Sequence, residues 1–389
     1  MINNTNTKIV NNKYEIITLQ NFFKDYNCTK EDYVNSNHIQ FRYMCYKMIP
    51  FMRSVLLPKI PKKSYYETVL IEFRILPHIE FIIRNAILKL GSNWSFSIVC
   101  GNKNYEFIST ICNAISRNIN IVKYDLDNIT QQEYSNLLMK KELWELFHGE
   151  KILLQQEDTL IFKDNISDFI EYDFIGAPFP SDSNDTPNKV GNGGFSLRTK
   201  DKMLEVIKKC NLNDLRVNSS TEQYMIYRNL TSPPEDIYFS KNLQELNIGN
   251  VSDWTVASTF SSESVFNKDS LGCHKIWTGT TAWKQHIKKT FNFKLYKPNS
   301  HIKNYLHFLN KPEILDITKQ KYNAFDVDFY FYSKANNIDY KKTNFLMDHM
   351  YKNGLHGFLY HPKQLLNLYP NLQFYTFLDN IYTMIDENY

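Results

Sequence analysis

The feature that most constrains the fold is a regular alternation of short apolar segments with longer amphipathic ones. Short runs rich in β-branched and apolar residues lie at 68–71, 95–100 and 120–123, and each is typical of a buried strand. Between them, apolar residues recur at helical spacing over 79–90 and 108–115,. Strands that alternate with helices pair in parallel through right-handed crossovers. The sequence therefore predicts an α/β fold class, with a mainly parallel sheet and helices on both of its faces.

Composition excludes several classes of protein. The chain has 389 residues, of which 43% are hydrophobic and 22% are charged, so it can bury a core and is not of the disordered class. Its net charge of +4 is too balanced for a protein that binds nucleic acid by bulk charge. The six cysteines form no CxxC pair, which argues against a zinc site and for reduced thiols. We find no signal-peptide pattern and no apolar stretch of the roughly 20 residues that span a bilayer, and we expect a cytoplasmic protein.

Patterning divides the chain into three parts. We predict an N-terminal extension over 1–66, an α/β domain over 67–290 and a small helical C-terminal module over 291–389. Helical spacing at 345–351 and 362–368 indicates two helices in that module.

Basic and aromatic residues alternate in the N-terminal extension, where Arg42 and Lys47 lie beside Tyr43 and Tyr46. Such a stretch could bind an anionic partner such as nucleic acid. We favour the simpler interpretation, an ordinary extension that lies on the domain with its charges in water.

Charged residues follow two of the predicted strands at the point where each strand ends. Glu72 and Arg74 follow the first strand, and the Gln-Glu-Asp run at 156–158 follows a further strand at 151–154. Ligands of open α/β sheets bind beyond the carboxyl ends of the strands. Either cluster alone is equally well explained as a salt bridge that closes the edge of a sheet. Together they favour one shared site, where a carboxylate pair would suit a hard divalent cation.

The glycine-rich segment 191–194 matches neither a dinucleotide fingerprint nor a P-loop,. We predict a loop in which Gly193 and Gly194 allow a bulky ligand to approach the backbone closely. The alternative is a tight hairpin with no ligand.

Two later segments carry candidate chemistry. Glu235 and Asp236 follow Pro234, a pattern that begins a helix and places acids at its positive end; a general base is the functional alternative. His274 follows a Gly-Cys pair. A lone histidine is usually structural, but one so far from the acids could be a metal ligand on a closing loop.

Several of these motifs occur together and in a fixed order. The motifs are VLIEFR at 69–74, YDFIGAP at 172–178, GNGGFSLR at 191–198, PED at 234–236, FSSE at 260–263 and GCHKIW at 272–277. This order resembles a family of uncharacterised glycosyltransferase-like domains found in giant viruses, fungi and bacteria. The resemblance covers residues 67 to 280, and it extends the expected setting to a virus factory or virion.

The resemblance implies a GT-A-like (Rossmann-like) αβα sandwich that binds a nucleoside-diphosphate sugar. In such folds an Asp-x-Asp motif holds Mn²⁺ or Mg²⁺; here Asp158 matches the second acid and Gln156 replaces the first. His274 resembles the late histidine that serves as a further metal ligand. Asp236 resembles the base of inverting enzymes, with Glu235 orienting the acceptor.

These expectations describe an inverting, metal-assisted, hexosyltransferase-like enzyme. It would move a sugar from a nucleoside-diphosphate sugar to a hydroxyl of a glycan or protein acceptor, without a nucleic-acid partner or a membrane span. Glu72, Arg74, Gln156, Gly193 and Gly194 would line the donor pocket. The missing first acid favours the alternative, a non-catalytic nucleotide-sugar or glycan-binding module on the same fold. The sequence leaves the oligomeric state open.

Overall fold

The computed structural model describes residues 19–55, 57–183 and 185–290. Nearly all of them belong to one unit, which is formed by 19–52 and 57–287. The fold and the candidate site described below lie in this unit.

A second unit comprises 1–18, 53–56 and 288–389. The predicted helices at 345–351 and 362–368, and most of the predicted C-terminal module, lie outside the described residues. The three-part division of the chain stays a prediction.

The strands form two sheets. In chain order they are β1 (Tyr66–Ile71), β2 (Trp94–Cys100), β3 (Asn120–Lys123), β4 (Lys151–Gln155), β5 (Thr159–Ile161), β6 (Phe174–Pro178), β7 (Val190–Thr199), β8 (Ser261–Ser262) and β9 (Gly272–His274). The central sheet has six strands in the order β3-β2-β1-β4-β7-β6, and a small sheet has the order β5-β9-β8.

The helices occupy most of the remaining chain. They are α1 (Leu19–Tyr26), α2 (Lys30–Asn35), α3 (Asn37–Lys47), α4 (Ile49–Ser54), α5 (Ile79–Leu90), α6 (Tyr105–Ile115), α7 (Gln131–Leu138), α8 (Lys141–Trp144), α9 (Lys200–Lys209), α10 (Ser219–Arg228), α11 (Glu235–Glu245), α12 (Trp254–Phe260) and α13 (Trp283–Thr290). In the described parts of the chain, none of these helices has both the length and the apolarity needed to cross a bilayer.

The predicted fold class is confirmed. β3, β2, β1 and β4 are mutually parallel, as expected for strands joined by the crossover helices α5 and α6. Within the central sheet as described, β7 alone runs against the other strands, antiparallel to its neighbours β4 and β6. Gly91 ends α5 with φ +78°, a conformation that glycine adopts without a steric penalty.

Helices cover both faces of the central sheet because side chains alternate along each strand. Val69, Ile71, Ile152 and Leu154 point to one face, where they form a buried core with residues of α7, α8, α9 and α11. On the other face, α5 contacts β2 and the small sheet. The sheet is therefore buried on both sides.

Two local predictions are wrong. The segment 191–194 is not a loop but part of β7, where it pairs with β6 and continues into the pairing with β4. His274 lies on strand β9, not on a closing loop, and it pairs with Thr159 of β5. Sheet pairing overrides the low strand propensity of glycine here. All six cysteines lie within the described residues and are free thiols, as expected.

Candidate active site

The two charged clusters, Glu72 with Arg74 and the run at 156–158, lie together at one edge of the central sheet, as predicted. β1 and β4 are parallel neighbours, so their carboxyl ends lie side by side. Glu72 accepts hydrogen bonds from the backbone N–H, Nε and Nη2 of Arg74, each at 2.8 Å. Nη2 of Arg74 also lies 3.3 Å from Oε1 of Glu157, and this contact joins the two clusters. Because Arg74 engages both oxygens of Glu72, the salt bridge weighed as the alternative role of this pair is present.

Glu157 is the most heavily paired carboxylate of the site. Its buried side chain accepts hydrogen bonds from Nε2 of His38 at 2.7 Å and from the guanidinium of Arg42. Nε2 of His78 lies 2.9 Å from its other oxygen. Burial alone would raise the pKa of Glu157, but the hydrogen bonds of His38, His78 and Arg42 outweigh burial and hold that pKa well below its ordinary value,. Glu157 is therefore a buried anion at pH 7.

Two of these partners come from the predicted N-terminal extension. His38 and Arg42 lie one turn apart on α3, and the side chain of Arg42 is only 15% exposed. The expectation that the charges of this stretch lie in water is wrong for Arg42, because the buried carboxylate of Glu157 requires a counter-charge. His38 also stacks on Trp277, with ring centroids 5.3 Å apart.

A second charge cluster lies beside the first. Nε2 of His274 is 3.2 Å from Oδ1 of Asp158, and Nδ1 of the same ring is 3.1 Å from Oε2 of Glu263. All three side chains are nearly buried, and these four atoms meet no partner at hydrogen-bonding angles. Burial would lower the pKa of His274, but the charges of Glu263 and Asp158 raise it to about 9. Burial would raise the pKa of Asp158, but the charge of His274 lowers it.

Gly193 and Gly194 connect this cluster to the predicted base. The N–H of Gly193 donates to Oδ2 of Asp236 at 3.1 Å, and a Cβ on Gly193 would collide with the carboxylate of Glu235. A Cβ on Gly194 would collide with the imidazole ring of His274. These two glycines therefore need to lack side chains because charged groups approach the backbone of β7 from two sides.

Glu235 and Asp236 begin α11, as predicted, but their environments differ. Both oxygens of Glu235 bind Arg198, at 2.5 and 3.1 Å, and the Arg198 side chain is fully buried against the rings of Phe174 and Phe239. Glu235 is thus the counter-ion of a buried arginine.

Asp236 is only partly buried and accepts hydrogen bonds from the backbone N–H groups of Gly193 and Ile237. Burial and the neighbouring charge of Glu235 raise the pKa of Asp236 to about 7. A carboxylate with a pKa near neutrality is suited to accept and release a proton.

Gln156 occupies the position of the missing first acid. Its backbone N–H donates to the carbonyl of Gly194 at 3.0 Å, so the turn after β4 is fixed to β7. Its side chain faces Tyr134 of α7 and lowers the pKa of that hydroxyl slightly. Burial, followed by the charge of Glu235, raises the pKa of Tyr134, which keeps this hydroxyl protonated.

A divalent cation fits the chemistry of this region. Among the described residues, His38, Glu157 and Asp158 form a group whose ligand atoms lie within 4.8 Å of one another. Oδ1 of Asp158 and both ring nitrogens of His274 are buried and lack hydrogen-bond partners, and oxygen and imidazole ligands suit Mn²⁺. Glu157 is the weakest candidate ligand because Arg42 and the two histidines already occupy its oxygens.

The structure brings the predicted site residues together, although their roles stay predictions. Sequence reasoning missed four residues that complete the clusters, namely His38, Arg42, His78 and Glu263. Glu263 had a signal in its place in a quoted motif, and Arg42 was noted only as part of the basic and aromatic stretch of the N-terminal extension. The two histidines show no distinctive spacing in the sequence. His38 lies on α3, and His78 is at the N-cap position of α5 without a side-chain capping hydrogen bond.

One groove on the described surface lies apart from these clusters, between the start of α7 and the end of α10. It has a volume of about 510 Å³ and is lined by Thr130, Gln131, Gln132, Tyr227, Arg228, Asn229 and Leu230.

Comparison with known families gives one match. A family described as "Protein of unknown function (DUF5672)" matches residues 118–274, which is less than half of the chain. The match agrees with the predicted resemblance to an uncharacterised family and includes the quoted motifs from 172 to His274. No curated protein matches the sequence significantly.

Solved structures with similarity to this chain include transferases. GlyE, a glycosyltransferase of Streptococcus pneumoniae TIGR4, is 12% identical with a TM-score of 0.31, and the match covers 50% of this chain and 46% of that one. This chain thus spans less than half of GlyE. An inositol-1-phosphate CTP transferase from T. maritima is 10% identical with a TM-score of 0.34, over 60% of this chain and 98% of that one. HddC from Yersinia pseudotuberculosis is 12% identical with a TM-score of 0.27, and the match covers 36% of this chain and 79% of that one.

Proposed function

We propose that the protein is an inverting glycosyltransferase that moves a sugar from a nucleoside-diphosphate sugar to an acceptor hydroxyl. The observation that carries the proposal is the arrangement around two adjacent glycines. Gly193 donates to Asp236, a carboxylate with a pKa near neutrality, while Gly194 packs against His274, which pairs with Asp158. A base and a cation-binding group thus approach β7 from two sides, as a displacement at a sugar carbon requires.

In the proposed reaction, Asp236 accepts the proton of the acceptor hydroxyl as that oxygen bonds to the anomeric carbon. The bond from the anomeric carbon to the diphosphate breaks, and the nucleoside diphosphate leaves with the electron pair. The hydrogen bonds from Gly193 and Ile237 hold the carboxylate of Asp236 in one orientation. A base positioned in this way contributes about 10²–10⁴ in rate.

Asp158 and His274 would hold a divalent cation, with His38 next to the second oxygen of Asp158 at 3.7 Å. When bound, Mn²⁺ or Mg²⁺ neutralises negative charge on a diphosphate. The Arg74 side chain is 45% exposed, so its guanidinium can also bind a phosphate oxygen as a planar donor.

The contacts of Glu235 support a role different from the one that the resemblance implies. Arg198 engages both of its oxygens in a buried pair, and the Glu235 side chain is only 6% exposed, so Glu235 is less accessible to an acceptor than the partly buried Asp236. We propose that Glu235 acts on Asp236 through its charge, which contributes to the raised pKa of Asp236.

Nucleotide release tests the proposal. UDP-, GDP-, CMP- and dTDP-sugars are incubated with Mn²⁺ and the protein, and thermal shift reports donor binding in the same samples. We expect release with one donor class, at least a hundredfold loss in Asp236→Asn with donor binding retained, and no loss in Glu245→Gln, which changes an exposed acid of the same helix. Equal loss of binding and release in Asp236→Asn would remove the base role.

A non-catalytic nucleotide-sugar or glycan-binding module is the second candidate. The observation that favours it is Gln156, an uncharged residue that stands where the resemblance places an acid. A binding module would show a donor-dependent thermal shift and no nucleotide release, so the same experiment separates the two.

A further inference from the structure

Glu263 is a buried carboxylate that the proposed reaction does not use. Its side chain is 11% exposed, and Oε2 lies 3.1 Å from Nδ1 of His274. The other ring nitrogen faces Oδ1 of Asp158 at 3.2 Å. The four facing atoms are buried and lie at ion-pair distance, but they meet no partner at hydrogen-bonding angles, an arrangement that a further bound group would complete.

The small sheet places these three side chains in one row. β8 and β9 are parallel with Ser262 opposite Cys273, so Glu263 follows β8 at the level of His274. On the other side, Thr159 pairs with His274, and Asp158 directly precedes it. The register of the small sheet, and not a flexible loop, therefore sets the order Glu263, His274, Asp158.

The backbone around Glu263 is also fixed. The hydroxyl of Ser262 accepts the backbone N–H of Asn267 at 2.8 Å, and the N–H of Glu263 donates to the carbonyl of Val265 at 3.2 Å. A Cβ on Gly279 would collide with the carbonyl of Glu263. Gly194 packs against the His274 ring from another side, so neither partner of the Glu263–His274 pair can turn away easily.

We propose that Glu263 is the positioning residue of a cation site, where it holds Nδ1–H of His274 so that Nε2 points its lone pair at a divalent cation beside Asp158. A carboxylate on the far nitrogen is how proteins orient a metal-binding histidine and raise its basicity as a ligand. This inference rests on the metal-binding part of the proposed function. It assigns to Glu263 no contact with the sugar or the nucleotide.

The test measures Mn²⁺ binding to the full chain without substrate. Free Mn²⁺ is titrated by electron paramagnetic resonance for wild type, Glu263→Gln and Glu263→Met, and the imidazole nitrogen coupling of the bound ion is recorded by spin-echo modulation. We expect Glu263→Met to bind Mn²⁺ about 10–100-fold more weakly and to lose nitrogen coupling. Glu263→Gln keeps an acceptor for Nδ1–H, so its Mn²⁺ affinity should lie between those of wild type and Glu263→Met.

A matched control separates positioning from general destabilisation. Glu67 is a buried carboxylate near the opposite end of β1, bound by Ser97 and the N–H of Gly149. Glu67→Gln should lower the unfolding temperature but leave Mn²⁺ affinity and nitrogen coupling unchanged.

The possible failures differ from each other. If Glu263→Met binds Mn²⁺ within twofold of wild type with the same nitrogen coupling, the role of Glu263 is wrong and the cation site stands. If wild type binds no Mn²⁺, both the site and the role of Glu263 are wrong, while metal-independent nucleotide release would preserve the transferase proposal.

Discussion

The buried pair between Arg198 and Glu235 makes a sharp prediction about stability. The guanidinium is fully buried, and its two terminal nitrogens bind the two oxygens of Glu235. Glu235→Gln keeps the volume but removes the charge, and it turns one acceptor into a donor that faces Arg198. The arginine cannot lose its proton at any ordinary pH, so it stays buried as a cation without a counter-ion.

Breaking a buried pair by removing one partner costs about 3–5 kcal/mol. At 1.4 kcal/mol per factor of ten, the unfolded population would rise by about a hundred- to several-thousand-fold. At roughly 2–4 °C per kcal/mol for a unit of this size, the unfolding temperature would fall by about 6–20 °C. Urea unfolding followed by circular dichroism measures the change in the free energy of unfolding.

Two further variants make this prediction refutable. Replacing the whole pair, with Arg198→Met and Glu235→Leu, should regain most of the lost stability because no charge is then buried. Glu205→Gln, which removes a half-buried surface partner of Lys209, should change stability by less than about 1 kcal/mol. A Glu235→Gln variant as stable as wild type would show that Glu235 does not neutralise Arg198.

Three other changes have expected outcomes. Because burial raises the pKa of Asp236 from 3.8 to about 7 and the base must be ionised, the rate of nucleotide release should rise with pH through about 7 and then level off. The raised pKa of Asp236 also means that protonated Asp236 favours the folded state. This contribution to the free energy of unfolding is complete below pH 3.8 and is lost as pH rises through about 7,. Urea unfolding at several pH values would detect the loss. Gly194→Ala should destabilise the protein by about 1–3 kcal/mol and weaken Mn²⁺ binding, since its Cβ would displace the ring of His274; unchanged Mn²⁺ affinity would contradict the packing argument. Arg42→Ala should lower the free energy of unfolding by about 2 kcal/mol, because Glu157 loses a charged partner, and calorimetry would measure it.

The parts of the fold that follow from the sequence are those set by local pattern. The strands β1 to β4 are apolar and short, and the helices between them show a clear period, so parallel pairing follows from connection geometry. That pairing brings Arg74 next to Glu157. The helix that begins with Glu235 was equally predictable, because proline and acids mark a helix start.

The remaining features depend on long-range pairing that local pattern does not record. The glycines of β7 have low strand propensity, and only the strands on either side make them part of a sheet,. The resemblance predicted that Glu235 orients an acceptor. The sequence did not show that Arg198, 37 residues earlier, is buried and pairs with Glu235. The sequence predicted roles for Gln156 and Asp158 but not for Glu157, because the Asp-x-Asp pattern places no ligand at its middle position. In the structure Glu157 has the most charged partners of the three residues.

The position of α3 affects where a functional fragment of this chain can start. A shortened protein beginning at residue 67, where the α/β pattern begins, would lack His38 and Arg42 and would leave the Glu157 carboxylate with only Arg74 and His78. Of the described elements it would retain all the strands except the first residue of β1, and most of the helices. It would nevertheless carry an undercompensated negative charge in its interior. The α/β part of the chain is thus electrostatically incomplete by itself, and α3 completes the charge balance around Glu157.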